Sequence, residues 1–189
     1  MSAIDKSSFD RLLLEKAEAI RMLVLDVDGV LTDGLLYFDS QGNEMKAFST
    51  RDGLGLRSLQ SQGIEVALIT GRKSEIVSRR AEQLGISHVY QGRTDKLVAF
   101  RDLLQKTGIA EQLVCYAGDD WLDLPVLERV GLSISVADAD QLVRDRVHWV
   151  TSRNGGKGAV REICDLILAA QGLDQRVLDE MMIQGPVKT

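Results

Sequence analysis

The stretch MLVLDVDGVLTDG at residues 22–34 decides how this chain is read. It opens on an apolar run, Met22 to Leu25, which reads as a buried strand. The run stops at two carboxylates, Asp26 and Asp28, and Gly29 behind them permits a sharp turn. In extended backbone, residues i and i+2 share a side. Asp26 and Asp28 therefore point the same way. At the end of a buried strand they repel each other unless a cation or a shared proton relieves them. Such a pair is costly as architecture and useful as chemistry.

Outward from this stretch, strand-like apolar runs recur at 64–70, 87–91, 113–117, 132–136 and 146–150. Helical patterns lie at 53–62, 74–84, 95–107, 122–130, 139–144 and 159–171. The alternation predicts an α/β fold, a Rossmann-like doubly wound parallel sheet with helices on both faces. Right-handed crossovers put every strand's C-terminal end on one rim, where open α/β folds bind ligands. One segment breaks the rhythm. Short β-like runs at 35–38 and 44–48 flank the turn signal SQGN at 40–43, predicting a small β-hairpin (35–48) that overhangs the rim. The main domain is expected to span 1–172, and 173–189 to form a flexible C-terminal tail that holds a short helix. Residues 1–20 read as an amphipathic helix with Phe9, Leu12, Leu13, Ala17 and Ile20 on its apolar side, not as a signal peptide.

Composition narrows the class. With 189 residues, 44% of them hydrophobic, the chain has the size and content of one compact domain. A net charge of -5 argues against a non-specific nucleic-acid binder, and the apolar runs are too short to span a membrane. Cys115 in LVCYAG and Cys164 in VREICDLIL read as small buried hydrophobes, too few for a disulfide framework. His88 and His148 are isolated, so no zinc site is expected. The expected compartment is the cytoplasm.

Four places on the predicted rim carry chemistry: Asp26/Asp28; Thr70, closing IEVALIT before Gly71 and Arg72; Lys96, opening a helix; and GDDWLD at 118–123, ending the strand LVCYA. Taken singly, an Asp at a strand end is a helix cap or turn residue, and a lysine is a solvated helix charge. Together they place carboxylates, a hydroxyl and an ammonium on one rim. Mg²⁺ prefers a few carboxylate oxygens with water and phosphate completing its shell. A lysine and a hydroxyl meet the remaining phosphoryl oxygens.

At these residues the chain resembles the haloacid dehalogenase superfamily of phosphohydrolases. DVDGVLTDG at 26–34 matches its first motif, Thr70 its second, Lys96 its third and GDDWLD at 118–123 its fourth. The resemblance implies that Asp26 is a nucleophile forming an aspartyl-phosphate, and that Asp28 is the acid/base. Mg²⁺ would be held by Asp26, Asp119 and the backbone carbonyl of Asp28, with Asp120 and Asp123 behind them. Members often insert a cap domain after the first or second motif. Here the hairpin, one helix and one strand fill the interval from Asp28 to Thr70, and a helix and a strand fill that from Thr70 to Lys96. No cap domain is expected; an uncapped site accepts large substrates or is closed by a neighbouring subunit, and the hairpin and tail make the second the expectation here.

The stretches KAFSTRDGLGLRSL (46–59), ALITGRKSEIVSRRAEQLGISHVYQG (67–92), GLSISVADAD (131–140) and NGGKGAVREICDLIL (154–168) resemble, more narrowly, the phosphatases of 3-deoxy-D-manno-octulosonate 8-phosphate. That likeness implies a phosphorylated eight-carbon sugar acid as substrate, a role in lipopolysaccharide biosynthesis and a homotetramer. It implies substrate contacts at Asp28, Ser49, Thr50, Arg51, Asp52, Gly53, Arg57, Arg72, Arg80 and Lys96. Arginines suit the substrate's carboxylate. RNGGKG at 153–158 lacks P-loop spacing and is expected to shape the start of the last helix near the rim. Three readings compete. A phosphatase of a sialic-acid-type 9-phosphate shares the uncapped plan. A non-catalytic receiver-like module also surrounds an Asp with acids, a hydroxyl and a lysine, but lacks the second Asp of the first strand. A silent superfamily member would serve assembly alone, and retention of all four motifs argues against it.

Overall fold

The computed structural model describes residues 4–184. In chain order the elements are α1 (Arg11–Glu18), β1 (Met22–Leu25), β2 (Tyr37–Phe38), β3 (Glu44–Met45), α2 (Thr50–Ser61), β4 (Glu65–Ile69), α3 (Glu75–Leu84), β5 (His88–Tyr90), α4 (Lys96–Thr107), β6 (Val114–Ala117), α5 (Leu124–Leu127), β7 (Leu132–Ser135), α6 (Gln141–Arg144), β8 (Trp149–Val150), α7 (Ala159–Ala170) and α8 (Asp174–Gln184). Six strands form one sheet in the order β5-β4-β1-β6-β7-β8, every neighbouring pair parallel. β2 and β3 pair antiparallel as a separate hairpin.

The period of two decides which face each strand residue serves. Leu23, Leu25, Val66, Leu68, Cys115, Ala117, Leu132 and Ile134 enter one core with α1, α2, α3 and α7. Met22, Val24, Ala67, Ile69, Val114 and Tyr116 enter the other with α4 and α5. Burial on both faces explains why these strands read as unbroken apolar runs. Both cysteines are buried and free, as expected.

The chain leaves β1 for β4 and β5 on one side, then returns to β6, β7 and β8 on the other. The switch falls between β1 and β6, the adjacent strands that end on Asp26 and Gly118–Asp119. The crevice at such a switch is where open α/β sheets take their ligands.

Some elements are shorter than their patterns. Only Trp149–Val150 of 146–150 is strand. The helix expected over 122–130 is a 3₁₀ turn (Trp121–Asp123) followed by α5, with Pro125 in its first turn. In α1, Leu13 and Ala17 are buried but Leu12 is 67% exposed, so Leu12 leaves the expected apolar side. The helix α2 starts three residues early because Ser49 caps it. The short helix expected in the tail is α8, while residues 185–189 lie outside the described residues. No helix among those described is long and apolar enough to cross a membrane.

Candidate active site

Asp26 prolongs β1: its N–H donates to Ala117 O at 2.9 Å, and its residue is only 5% exposed. After Asp28 the chain turns at Gly29, whose φ is 96°. The Thr32 hydroxyl ties this turn, accepting from Gly29 N (3.3 Å) and Gly34 N (3.2 Å) and donating to Val27 O (3.3 Å). A Cβ on Gly29 would lie 2.0 Å from Asp119 Oδ2, so glycine is required by space as well as by conformation. The 153–158 loop packs behind the turn: Gly156 N donates to Val30 O at 3.0 Å, and a Cβ on Gly155 would strike Gly29 O.

Lys96, first residue of α4, is buried and reaches back to the crevice. Its Nζ lies 2.9 Å from Asp26 Oδ1 and 2.6 Å from Asp123 Oδ1. Asp123 also accepts from Tyr116 OH (2.6 Å) on Oδ1 and from the N–H groups of Asp119 and Asp120 (3.2 Å each) on Oδ2. Its oxygens are thus occupied in shaping the 118–123 turn, which Ser135 Oγ also holds by donating to Gly118 O at 2.7 Å.

Asp26, Asp119 and Asp123 each bring an oxygen within 4.8 Å of one another. Burial raises Asp26 to about 7 against the pull of Lys96. Burial, with Asp26 and Asp123 nearby, raises Asp119 to about 8. Burial alone lowers Lys96, but Asp26 and Asp123 outweigh it and leave it raised, hence charged. Asp119 Oδ1 is buried without a hydrogen-bond partner. A buried carboxylate oxygen with nothing to accept from is the donor a hard cation needs. The residues therefore fit Mg²⁺, with Asp26 and Asp119 facing the crevice and Asp123 already satisfied behind them.

Thr70 follows β4 and is 2% exposed. Its N–H donates to Tyr90 O (2.8 Å), its carbonyl accepts from Arg93 N (3.0 Å) and its hydroxyl accepts from Arg72 N (3.4 Å). The hairpin reaches this rim through two residues that the sequence reading did not single out. Lys46 Nζ contacts Asp28 Oδ1 and lies 3.4 Å from Glu44 Oε1. Glu44 is held by Arg72 NH2 (2.9 Å) and Ser74 Oγ (3.1 Å). Burial would raise Glu44, but Ser74, Lys46 and Arg72 together lower it, so it stays anionic.

The other expected substrate positions divide. Ser49 accepts from Asp52 N at 3.4 Å as the α2 cap, and Thr50 and Arg51 are exposed in the first turn. Asp52 is turned inward: it is 1% exposed and accepts from Arg161 N (2.8 Å), capping α7, whose own cap residue Gly158 has no side chain to offer. Arg80 covers Gly53 and sits over the Phe48 ring at 5.7 Å, while Arg57 donates to Gln83 O at 3.1 Å. Burial and the nearby Arg57 lower Arg80. Arg80 lines an open groove with Phe48, Glu75, Ile76, Arg79 and Gln83, and Arg57 is not part of that lining.

Comparison with known proteins identifies the family and the fold. A model of the haloacid dehalogenase-like hydrolases matches residues 81–163. The 3-deoxy-D-manno-octulosonate 8-phosphate phosphatase of Escherichia coli K12 is 56% identical over 85% of this chain and 85% of its own. The crystal structure of the Yersinia pestis phosphatase of that name superposes with a TM-score of 0.89 at 48% identity, covering 93% of this chain and 96% of that one. The Moraxella catarrhalis phosphatase, solved with magnesium, phosphate and the sugar acid, gives a TM-score of 0.87 at 44% identity, covering 89% and 97%.

Proposed function

Because this chain belongs to the haloacid dehalogenase-like hydrolases, and among them to the 3-deoxy-D-manno-octulosonate 8-phosphate phosphatases, we propose that it hydrolyses that sugar phosphate to the free sugar acid and inorganic phosphate, a step of lipopolysaccharide biosynthesis. The observation that carries the reading is the pair of buried Asp26 and half-buried Asp119 flanking the β1/β6 crevice, with Lys96 on Asp26 and an unpartnered buried Asp119 oxygen.

Asp26, Asp119 and the Asp28 backbone carbonyl would hold the Mg²⁺ cofactor, which would neutralise charge on the phosphoryl oxygens. A carboxylate oxygen of Asp26 attacks phosphorus and the bond to the sugar oxygen breaks. Asp28 gives its proton to that leaving oxygen. A water then loses a proton to Asp28 and attacks phosphorus, and the bond to Asp26 breaks to release phosphate. Lys96 favours the anionic form of Asp26 against burial, and Thr70 with Lys96 meets the equatorial oxygens. Arg72 lies at the site mouth. Arg57 and Arg80 offer guanidinium groups to the substrate carboxylate, beside the α2 turn Ser49–Gly53.

The exposed apolar side chains Leu35, Leu36, Tyr37, Phe38 and Met45 lie on the hairpin, and Trp121 and Leu122 on the rim. This apolar face supports a homotetramer in which a neighbouring subunit completes each site. A monomer by light scattering would rule that out. The two free buried cysteines favour the reducing cytoplasm, which fractionation of cells checks.

The decisive test is phosphate release from the eight-carbon 8-phosphate and from a nine-carbon sialic-acid-type 9-phosphate, with Mg²⁺ and with chelator. The reading expects Mg²⁺-dependent release with the eight-carbon substrate preferred by kcat/KM. Preference for the nine-carbon sugar, or release that survives chelation, contradicts it.

A further inference from the structure

We propose that Lys46, carried by the hairpin, is a positioning residue for the acid/base Asp28, and that Glu44 anchors it there. This deepens the reading above and rests on the role it gives Asp28.

The hairpin is the most exposed part of the structure near the rim. Both residues of β2 face solvent, and Met45 is 56% exposed. Lys46 is the exception, its side chain only 2% exposed. A buried ammonium survives only where anions and hydrogen bonds replace its water. Here it has two: Asp28, which it touches, and Glu44 at 3.4 Å. Glu44 opens β3 and Lys46 directly follows it, so the two, two positions apart, both meet the rim while Met45 between them is exposed. Glu44 is fixed in turn by Arg72 and Ser74, beyond the end of β4.

The result is a continuous polar chain, Asp28–Lys46–Glu44–Arg72. It joins the loop after β1, the hairpin and the loop after β4. Asp28 itself stands just before the turn at Gly29, and its carboxyl keeps 19% of its surface open. Its rotamer is free to turn without a partner. Lys46 supplies that partner with three N–H donors, and one bond to Oδ1 leaves the second oxygen for the sugar oxygen. The hairpin is then part of the proton-transfer apparatus as well as a surface for a neighbouring subunit.

The test exploits the leaving group. An alkoxide of a sugar departs only with a proton, whereas p-nitrophenolate departs without one. For both substrates kcat/KM covers the steps up to formation of the phosphorylated Asp26. In Lys46→Met, kcat/KM for the sugar 8-phosphate should fall about 100-fold, mostly in kcat, because general-acid assistance is worth about that much or more. For p-nitrophenyl phosphate the fall should stay within about 5-fold, the part of the barrier that needs no proton. Glu44→Gln should shift the same ratio in the same direction but less. Lys46→Arg, which keeps charge and donors, should recover part of the sugar-phosphate rate. Equal losses on the two substrates would make Lys46 a packing residue and overturn the proposal. A loss confined to KM would make it a substrate contact and overturn it as well. The wild-type chain, run in parallel, tests the underlying reading: if it releases no phosphate from the sugar substrate, that reading fails first. If it does and the Lys46→Met ratio matches wild type, only the Lys46 inference fails.

Discussion

Gly29 and Asp119 touch across the crevice between β1 and β6: a single added methyl on Gly29 would sit 2.0 Å from Asp119 Oδ2. The backbone after the first motif therefore fixes how close the fourth motif can come. Gly29→Ala should push Asp119 outward. Since displacement of about 1 Å at a reacting centre can cost about 100-fold, kcat/KM should fall by about that factor. Mg²⁺ affinity measured by calorimetry should fall with it, while circular dichroism stays native. Unchanged Mg²⁺ affinity would detach this contact from metal binding.

Lys96 serves Asp26 and Asp123 together. Lys96→Met leaves two buried carboxylates without a cation. Breaking a buried ion pair by removing one partner costs about 3–5 kcal/mol. Chemical denaturation of the metal-free variant at pH 8 should show a loss of that order, and a smaller one at pH 5, where Asp26 is protonated. A loss below about 1 kcal/mol would mean that the pair is solvated in solution.

Asp119 and Asp26 are both raised, to about 8 and about 7, chiefly by burial. In the unfolded chain they titrate near the ordinary aspartate value of 3.8. The folded metal-free protein thus holds protons that the unfolded chain has lost, and its stability falls as pH rises from about 4 towards 8. Bound Mg²⁺ needs the deprotonated carboxylates, so the thermal shift it produces should be larger at pH 8.5 than at pH 6. Equal shifts at the two pH values would contradict this.

Arg80 lies beside Arg57 and over Phe48. If it receives the substrate carboxylate, Arg80→Ala removes a charged hydrogen bond, and KM for the sugar 8-phosphate should rise about 10- to 100-fold. Turnover of p-nitrophenyl phosphate, which has no carboxylate, serves as the control and should be unaffected. An equal effect on both substrates would assign Arg80 to the fold.

Asp52 caps α7 from a neighbouring helix. Asp52→Ala should lower stability by about 1–2 kcal/mol, as loss of a good cap does, with KM within about 2-fold of wild type. A large rise in KM with stability intact would restore Asp52 as a substrate contact. The folding midpoint in urea and steady-state kinetics on the same preparation decide between these.

The sheet was legible because a parallel strand covered on both faces leaves an uninterrupted apolar run, as at Met22–Leu25 and Val114–Ala117. The acids of the crevice were legible because they stand at the ends of those runs. What the chain hid are pairings whose partners lie far apart in sequence. Lys46 meets Asp28 across 18 positions and Glu44 meets Arg72 across 28, so each looked like an ordinary solvated charge. The faint signal was the spacing of Glu44 and Lys46 around an outward Met45. The capping role of Asp52 was hidden for a related reason: the glycines before α7 supply no cap, and only the fold shows that α2 provides one.

Above about pH 8, where Asp26 and Asp119 are both ionised, the pair carries more negative charge than Lys96 offsets. A phosphate dianion approaching that wall alone meets repulsion. Arrival order follows from electrostatics: the divalent ion must load first, and depleting it turns the enzyme away from its substrate instead of merely slowing it.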